Sequence, residues 1–182
     1  MQVVEENNDR LLKLISDILD LSKIESNTME FNFCNISLHQ VLNEIGSAQR
    51  MNMKKGVELL LDLPGQEITI STDPTRLSQV INNLVNNAIK FTSEGNICIG
   101  YRPATSNRVK IFVEDTGTGM AKEVIEHIFD RFYKGDAFKQ GTGLGLAICR
   151  TIAERFKGKI EVASTPGKGT RFTIILPLKV EE

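Results

Sequence analysis

Residues 73–91, Asp73-Pro-Thr-Arg-Leu-Ser-Gln-Val-Ile-Asn-Asn-Leu-Val-Asn-Asn-Ala-Ile-Lys-Phe91, form the stretch from which the rest of the chain can be read. Asp73 supplies an N-cap oxygen and Pro74 suits the first helical position, so a helix starts here. Leu77, Ile81, Leu84 and Ala88 recur at helical spacing and predict a buried stripe. Asn83, Asn87, Lys90 and Phe91 stand at i, i+4, i+7 and i+8 and share a second face. The four asparagines at 82, 83, 86 and 87 run against helix propensity. Two readings follow: a solvated polar face, or a surface held for a ligand. An amide carbonyl is a hard oxygen donor that suits Mg²⁺ and adds no charge repulsion toward a neighbouring phosphate. Lys90 supplies a cation for a phosphate oxygen.

Toward the N-terminus, Leu11, Leu14, Ile18 and Leu21 form one apolar row and Leu12, Ile15 and Leu19 a second beside it. They predict a bundle helix over residues 1–26 that needs a partner, since an isolated helix of that length is marginal in water. It carries no N-terminal start signal, so it reads as the end of a longer element. Met29, Phe31 and Phe33 alternate with polar residues and predict a short strand. Ser37-Leu-His-Gln40 fits a capping box ahead of a helix carrying Leu38, Val41, Leu42 and Ile45. Residues 57–63 and 68–71 read as strands joined by a Pro64-Gly65 turn.

On the C-terminal side, residues 97–102 and 109–114 predict an antiparallel hairpin. A glycine-rich turn, an amphipathic stretch at 121–132 and a polar loop at 134–140 come next. A helix over 144–157 ends at Gly158, and strands at 160–163 and 171–176 close the chain. This mixture predicts an α/β fold: a two-layer sandwich with a mixed sheet and helices on one face, preceded by the N-terminal bundle helix.

Two further segments carry chemistry. Asp115-Thr-Gly117-Thr-Gly119-Met120 follows a strand, which places Asp115 at the strand end facing the layer between sheet and helices. Its carboxylate only accepts hydrogen bonds, as an exocyclic amine such as adenine's requires, and the glycines admit a flat ring close to backbone. A plain Asp-Gly turn is the other reading. Gly141-Thr142-Gly143-Leu144-Gly145-Leu146 precedes a helix, whose free amides and positive dipole end favour an anion. No GxxxxGK[ST] occurs, so this is not a P-loop, and the preceding segment is a polar loop instead of the strand a dinucleotide fingerprint needs.

The 182 residues, 41% hydrophobic and 25% charged, are ordinary for one soluble folded domain with some chain to spare. Lys+Arg 22 against Asp+Glu 23 gives a net charge of −1, so charge gives no reason to expect nucleic acid as a partner. No apolar run reaches the ~20 residues of a membrane span. Cys34, Cys98 and Cys149 are widely spaced and read as reduced core residues, not a zinc set.

In order and spacing these segments resemble the boxes of sensor histidine kinases. Asn83-Leu-Val-Asn-Asn87-Ala-Ile-Lys90-Phe91 is similar to the N box and Asp115-x-Gly117-x-Gly119 to the G1 box. Phe129-Asp-Arg131-Phe132 resembles the F box, Gly141-Thr-Gly143-Leu-Gly145-Leu146 the G2 box, and Gly167-Lys-Gly169-Thr170 the closing G-x-G-T. The wider class takes in the gyrase, Hsp90 and MutL ATPase domains. The resemblance implies a Bergerat-type catalytic ATP-binding domain over residues 27–182. It implies that residues 1–26 are the end of the second helix of the dimerisation and phosphoacceptor hairpin. ATP and Mg²⁺ are the implied ligands. Asn87 would hold the metal with Asn83 beside it, Lys90 would meet phosphate, and Phe91 and Tyr133 would flank the nucleotide. Asp115 would read the adenine amine; Arg131 and Lys134 would approach phosphate. Residues 134–140 would form a lid hinged by Gly141, Gly143 and Gly145. Thr142 and Leu144 belong to that loop, and Gly117, Gly119, Met120, Ile128, Leu146 and Thr170 would line or support the pocket. Phe129 and Phe132 would anchor the lid by packing.

The implied partners are the protein's own dimerisation domain, a response-regulator receiver domain and a second copy of the whole protein. The implied setting is the cytoplasm, in a family whose full-length members are often anchored in the inner membrane. Two departures matter. Neither His39 nor His127 has the context of a phospho-acceptor, so the acceptor histidine lies outside these residues. Asn83 stands where the related ATPases place a general-base glutamate, and an amide takes no proton from water at neutral pH, so hydrolysis should be slow. Lys157-Gly158, where the family often has Gly-Gly, is given no function.

Overall fold

The computed structural model describes residues 2–105, 107–135 and 141–179, with the side chains of residues 2–6, 9 and 10 left aside. A helix α1 (Gln2–Glu25) is followed by strand β1 (Cys34–Ser37), helix α2 (Leu38–Arg50) and strands β2 (Val57–Asp62) and β3 (Thr69–Thr72). Helix α3 (Pro74–Phe91), strands β4 (Gly95–Ala104) and β5 (Arg108–Asp115), and the short helix α4 (Lys122–Ile125) come next. Helix α5 (Gly145–Arg155) and strands β6 (Lys159–Thr165) and β7 (Gly169–Pro177) complete the described chain.

The main sheet runs β2-β4-β5-β7-β6. It is mixed because β2 lies parallel to β4 while the other neighbours are antiparallel. Strand alternation sorts its two faces. Ile97, Ile99 and Tyr101 of β4, Val109, Ile111 and Val113 of β5, and Phe172, Ile174 and Leu176 of β7 are all buried, against helices α2, α3 and α5. On the opposite face Arg171 pairs with Glu114 at 3.0 Å and lies 3.9 Å over the Phe112 ring, keeping that aromatic out of water. The α/β sandwich expected from the sequence is the fold observed.

Local expectations fared unevenly. Helix α3 starts as read: Asp73 Oδ1 accepts the Arg76 amide at 3.0 Å. Ser37 caps α2 by accepting the Gln40 amide at 3.2 Å, but the Gln40 side chain turns to Glu44, so only half of the capping box forms. The strand expected at Met29–Phe33 is absent; the strand is Cys34–Ser37. The Asn32 amide donates to Asp73 Oδ2 at 2.8 Å in place of a ladder partner, and Phe31 and Phe33 pack edge-on against Phe156. That alternation reflects an aromatic cluster and not a pleat. Residues 57–63 and 68–71 do hold strands, but Pro64-Gly65 does not make them a hairpin. β3 pairs with β1 in a separate two-stranded sheet.

Only Cys149 is the buried core thiol expected; Cys34 is exposed and Cys98 half-buried. Burial pushes Cys149 up to about 12, with the Asn83 side chain pulling the other way, so it stays a neutral thiol.

Helix α1 packs in an unanticipated way. Leu11, Leu12, Ile15, Ile18 and Leu19 are exposed, while Asp17 and Asp20 are buried against the remainder of the chain. Asp20 accepts from Arg76 at 3.1 Å and from Gln79 at 2.6 Å, both on α3, and Glu25 pairs with Arg131. The polar residues Asp17 and Asp20 are on the docked face, together with Leu21 and Ile24 near the end of the helix, while Leu11, Leu12, Ile15, Ile18 and Leu19 are left outward.

Candidate nucleotide site

Between α3, the end of β5 and the start of α5 lies a cavity of about 440 Å³. Its floor is the second face of α3, where Asn83, Asn87, Lys90 and Phe91 line it together. The four asparagines divide their work. Asn82 accepts from the buried Gln49 side chain of α2 at 2.8 Å, which accounts for a polar residue there without any ligand. Asn83 and Asn87 face the cavity, and Asn86 both lines it and lies 3.5 Å from Gln49 Nε2. Lys54 donates to the carbonyls of Lys90 and Thr92 at 3.2 Å each, steadying the negative end of α3. Lys90 Nζ lies 4.9 Å over the Phe91 ring.

Asp115 closes the far side. It is the last residue of β5, in register with Ile97 on β4 and Thr170 on β7, on the helix-facing side of the sheet. Its Oδ1 accepts the Gly117 amide at 2.8 Å. Burial pushes the carboxyl above the usual carboxylate range, an effect only partly offset by the Gly117 and Thr170 amides. The turn after it is pinned from two directions. The Thr118 amide donates to Phe91 O at 3.2 Å, and the Met120 amide donates to Ser164 Oγ at 2.8 Å. Ser164 also contacts Thr170 at 2.8 Å. Gly169 has φ +108°, and a Cβ there would overlap the Asp115 carbonyl oxygen, so that approach demands glycine.

The third wall is the glycine-rich stretch. Gly141, Thr142, Gly143, Gly145 and Leu146 line the cavity, and α5 begins at Gly145 with its free amides at the cavity edge. A Cβ at Gly145 would lie 3.8 Å from Asn83 Oδ1. Gly143 has φ +73° and carries its carbonyl to the Phe132 amide at 2.9 Å, which ties this stretch to the F-box segment.

Of the residues expected here, Asn83, Asn87, Lys90, Phe91, Asp115, Gly119, Met120, Tyr133, Lys134, Gly141, Thr142, Gly143, Gly145, Leu146 and Thr170 line the one cavity, as does Ile128. Gly117 and Leu144 do not. Gly117 supports Asp115 from behind, packed where a Cβ would lie 2.5 Å from Phe91 O. Leu144 is fully buried in the core at the start of α5. Arg131 is also outside the cavity, held by Glu25. Phe129 packs edge-on to Phe172 at 6.3 Å, whereas Phe132 is 63% exposed. Of the expected lid, 136–140 fall outside the described residues. Sequence reading missed Asn86, Ala88, Thr118, Ala121, Val124 and Phe172 in the lining, and Lys13 of α1. The apolar ones carried no signal beyond their periodicity; Lys13 is distant in sequence.

These three walls define an ATPase of a known class. Residues 72–180 match the family described as histidine kinase-, DNA gyrase B- and HSP90-like ATPase, and the chain belongs to that family. Within it, the relatives are sensor kinases. The chain is 39% identical over 181 residues to the sensor histidine kinase RcsC of Escherichia coli (strain K12), covering 96% of this chain and 19% of RcsC. Full-length ShkA, solved with AMPPNP, superposes with a TM-score of 0.89 at 28% identity, over 99% of this chain and 38% of ShkA. The histidine kinase ThkA, solved with the response regulator protein TrrA, superposes with a TM-score of 0.76 at 25% identity, over 97% of this chain and 49% of ThkA. The chain therefore corresponds to the catalytic ATPase part of a sensor histidine kinase and spans about a fifth of RcsC's length.

Proposed function

We propose that the cavity binds Mg²⁺-ATP and that the chain transfers the γ-phosphoryl group to a histidine on a dimerisation hairpin, from which a response-regulator aspartate takes it. One observation carries this reading: Asn83, Asn87 and Lys90 from one helical face meet Asp115 from the sheet across a single cavity closed by the glycine-rich stretch. ShkA's AMPPNP and ThkA's complex with TrrA support the nucleotide and the partner class.

The donor set suits the metal. Among the described residues no group of three or more His, Cys, Asp or Glu side chains is placed to hold an ion. What the cavity offers is neutral amide oxygen, which matches a cation that keeps several waters and takes its charge partners from phosphate. Asn87, with Asn83 beside it, would hold Mg²⁺, whose chemistry here is to neutralise charge on the phosphoryl oxygens. Lys90 adds a point charge, and the amides opening α5 offer donors to an anion. Asp115 accepts from the adenine amine and so sets the base end. Phe91 and Tyr133 supply apolar flanks. Catalysis in this arrangement is positioning plus charge stabilisation, and the Asn83 amide activates no water.

Residues 1–26 fit the end of a dimerisation hairpin helix, with the outward row Leu11, Leu12, Ile15, Ile18 and Leu19 as the seam toward a second copy. His39 is bonded to Tyr101 and His127 to Asp130, and neither lines the cavity. No described helix is long and apolar enough to cross a membrane.

The test supplies a dimerisation hairpin with its acceptor histidine as a separate chain together with labelled Mg²⁺-ATP. Label on that histidine and none on this chain is the expected result; an unlabelled histidine rejects the kinase reading. Asn87→Ala should abolish the gain in ATP affinity that Mg²⁺ provides. Calorimetry with and without the metal checks this, and a folded variant with wild-type metal dependence removes Asn87 from the metal site.

A further inference from the structure

Among its described residues, helix α1 sends one side chain into the nucleotide cavity. Lys13 lines it and donates from Nζ to Asn83 Oδ1 at 3.2 Å. Lys13, Asp17 and Asp20 stand at i, i+4 and i+7, so they share the docked face of α1. Asp17 Oδ2 accepts from Thr142 Oγ1 at 2.8 Å, and Asp20 is held by Arg76 and Gln79. The helix is thus fastened on the C-terminal side of Lys13's entry point by contacts to the glycine-rich stretch and to α3. Lys13 is held less tightly: its side chain is 52% exposed, and besides Asn83 its ammonium has a long i,i+4 ion pair to Asp17 Oδ1 at 3.8 Å.

The end of the cavity it enters is the anion end. Asn83, the first residue of α5 and Thr142 meet there, while Asp115 lines the cavity from the end of β5, paired with Thr170. An ammonium on a neutral amide oxygen leaves two of its three N–H donors for another acceptor. A cation in that position gains most from a multiply charged anion and nothing from a purine.

We propose that Lys13 is a further polyphosphate-binding residue, contributed by the helix that precedes the ATPase domain and directed at the terminal phosphates of the nucleotide. This rests on the reading of the cavity as a Mg²⁺-ATP site. It ties the position of α1 to what the cavity holds: a triphosphate reached by Lys13 favours the docked helix, and by linkage the docked helix favours the triphosphate.

Calorimetric titration of the 182-residue chain with Mg²⁺-ATP and with AMP, on the wild type, Lys13→Ala and Lys13→Arg, tests this. Lys13→Ala should weaken ATP about five- to tenfold, between the values for exposed and buried charged contacts, and leave AMP within about twofold. Lys13→Arg should recover most of the ATP affinity. ATP affinity that is unchanged or raised in Lys13→Ala, or equal losses for ATP and AMP, overturns the proposal. A wild type that binds AMP but shows no preference for ATP also overturns it while leaving the adenine site standing; a wild type that binds neither nucleotide rejects the proposed function and this inference together.

Discussion

Replacing Asp115 by Ala should weaken adenine-nucleotide binding by about 1.5–3 kcal/mol, the range for a hydrogen bond to a charged group. That corresponds to roughly ten- to a hundredfold in affinity. The expectation rests on where the carboxylate sits: buried at the end of β5, steadied by the Gly117 and Thr170 amides and lining the cavity. Calorimetry with ATP on a variant of unchanged circular dichroism checks it, and wild-type affinity would exclude Asp115 as the base-reading group. The pH dependence has a definite sign. Burial raises this carboxyl's pKa, so a proton is taken up at a higher pH than an ordinary aspartate requires. Protonation turns one carboxyl oxygen into a donor and leaves the other a weaker, uncharged acceptor; adenine affinity should therefore fall on acidification before exposed carboxylates titrate. Stability of the ligand-free chain moves the other way. A raised carboxyl pKa costs the folded state stability above that pKa, and the cost is relieved as pH falls through it.

How much of this was legible in the sequence depended on the range of the interaction. Asp73 and Pro74 announce α3 because a cap is settled within four residues, and the apolar stripe of α3 is settled by helical period. Asp115-x-Gly-x-Gly is legible because each residue answers a local demand, from strand end to close backbone approach. The failures involve choices made by distant partners. The Met29–Phe33 alternation is indistinguishable from a strand until Phe156 and Asp73 are placed beside it. Residues 57–63 and 68–71 are legible as strands, but their entry into different sheets is not, because the parallel β2–β4 pairing, across about 40 residues, leaves no local trace. Arg131 was expected near phosphate and instead meets Glu25, which is 106 residues away. Lys13 escaped notice for the same reason. On a helix whose apolar stripe suggests which side should be buried, a lysine on the opposite side reads as solvated. The structure buries that opposite side through Asp17 and Asp20.

Leu144→Ala offers the sharpest separation between a ligand contact and a packing contact in the glycine-rich stretch. Leu144 lies between two cavity-lining glycines, yet its side chain is fully buried in the core instead of lining the cavity. It stands at the N-cap position of α5, where its carbonyl accepts the Ile148 amide at 2.9 Å and its amide donates to Thr142 Oγ1 at 3.2 Å. Truncation keeps both backbone bonds and removes only buried hydrocarbon. The expected loss is about 2–5 kcal/mol of unfolding free energy, the range for large-to-small core substitutions. Urea denaturation monitored by circular dichroism reads it as a fall in midpoint at unchanged slope. ATP affinity of the folded variant should stay within about threefold of wild type, because no polar group at the anion end is altered. A variant of wild-type stability with sharply reduced affinity would reverse the assignment and return Leu144 to the ligand. The two effects must separate this way if the stretch works as the structure has it: glycines and Thr142 facing the cavity, and one leucine fastening them to the core so that the amides at the start of α5 stay aimed at the anion.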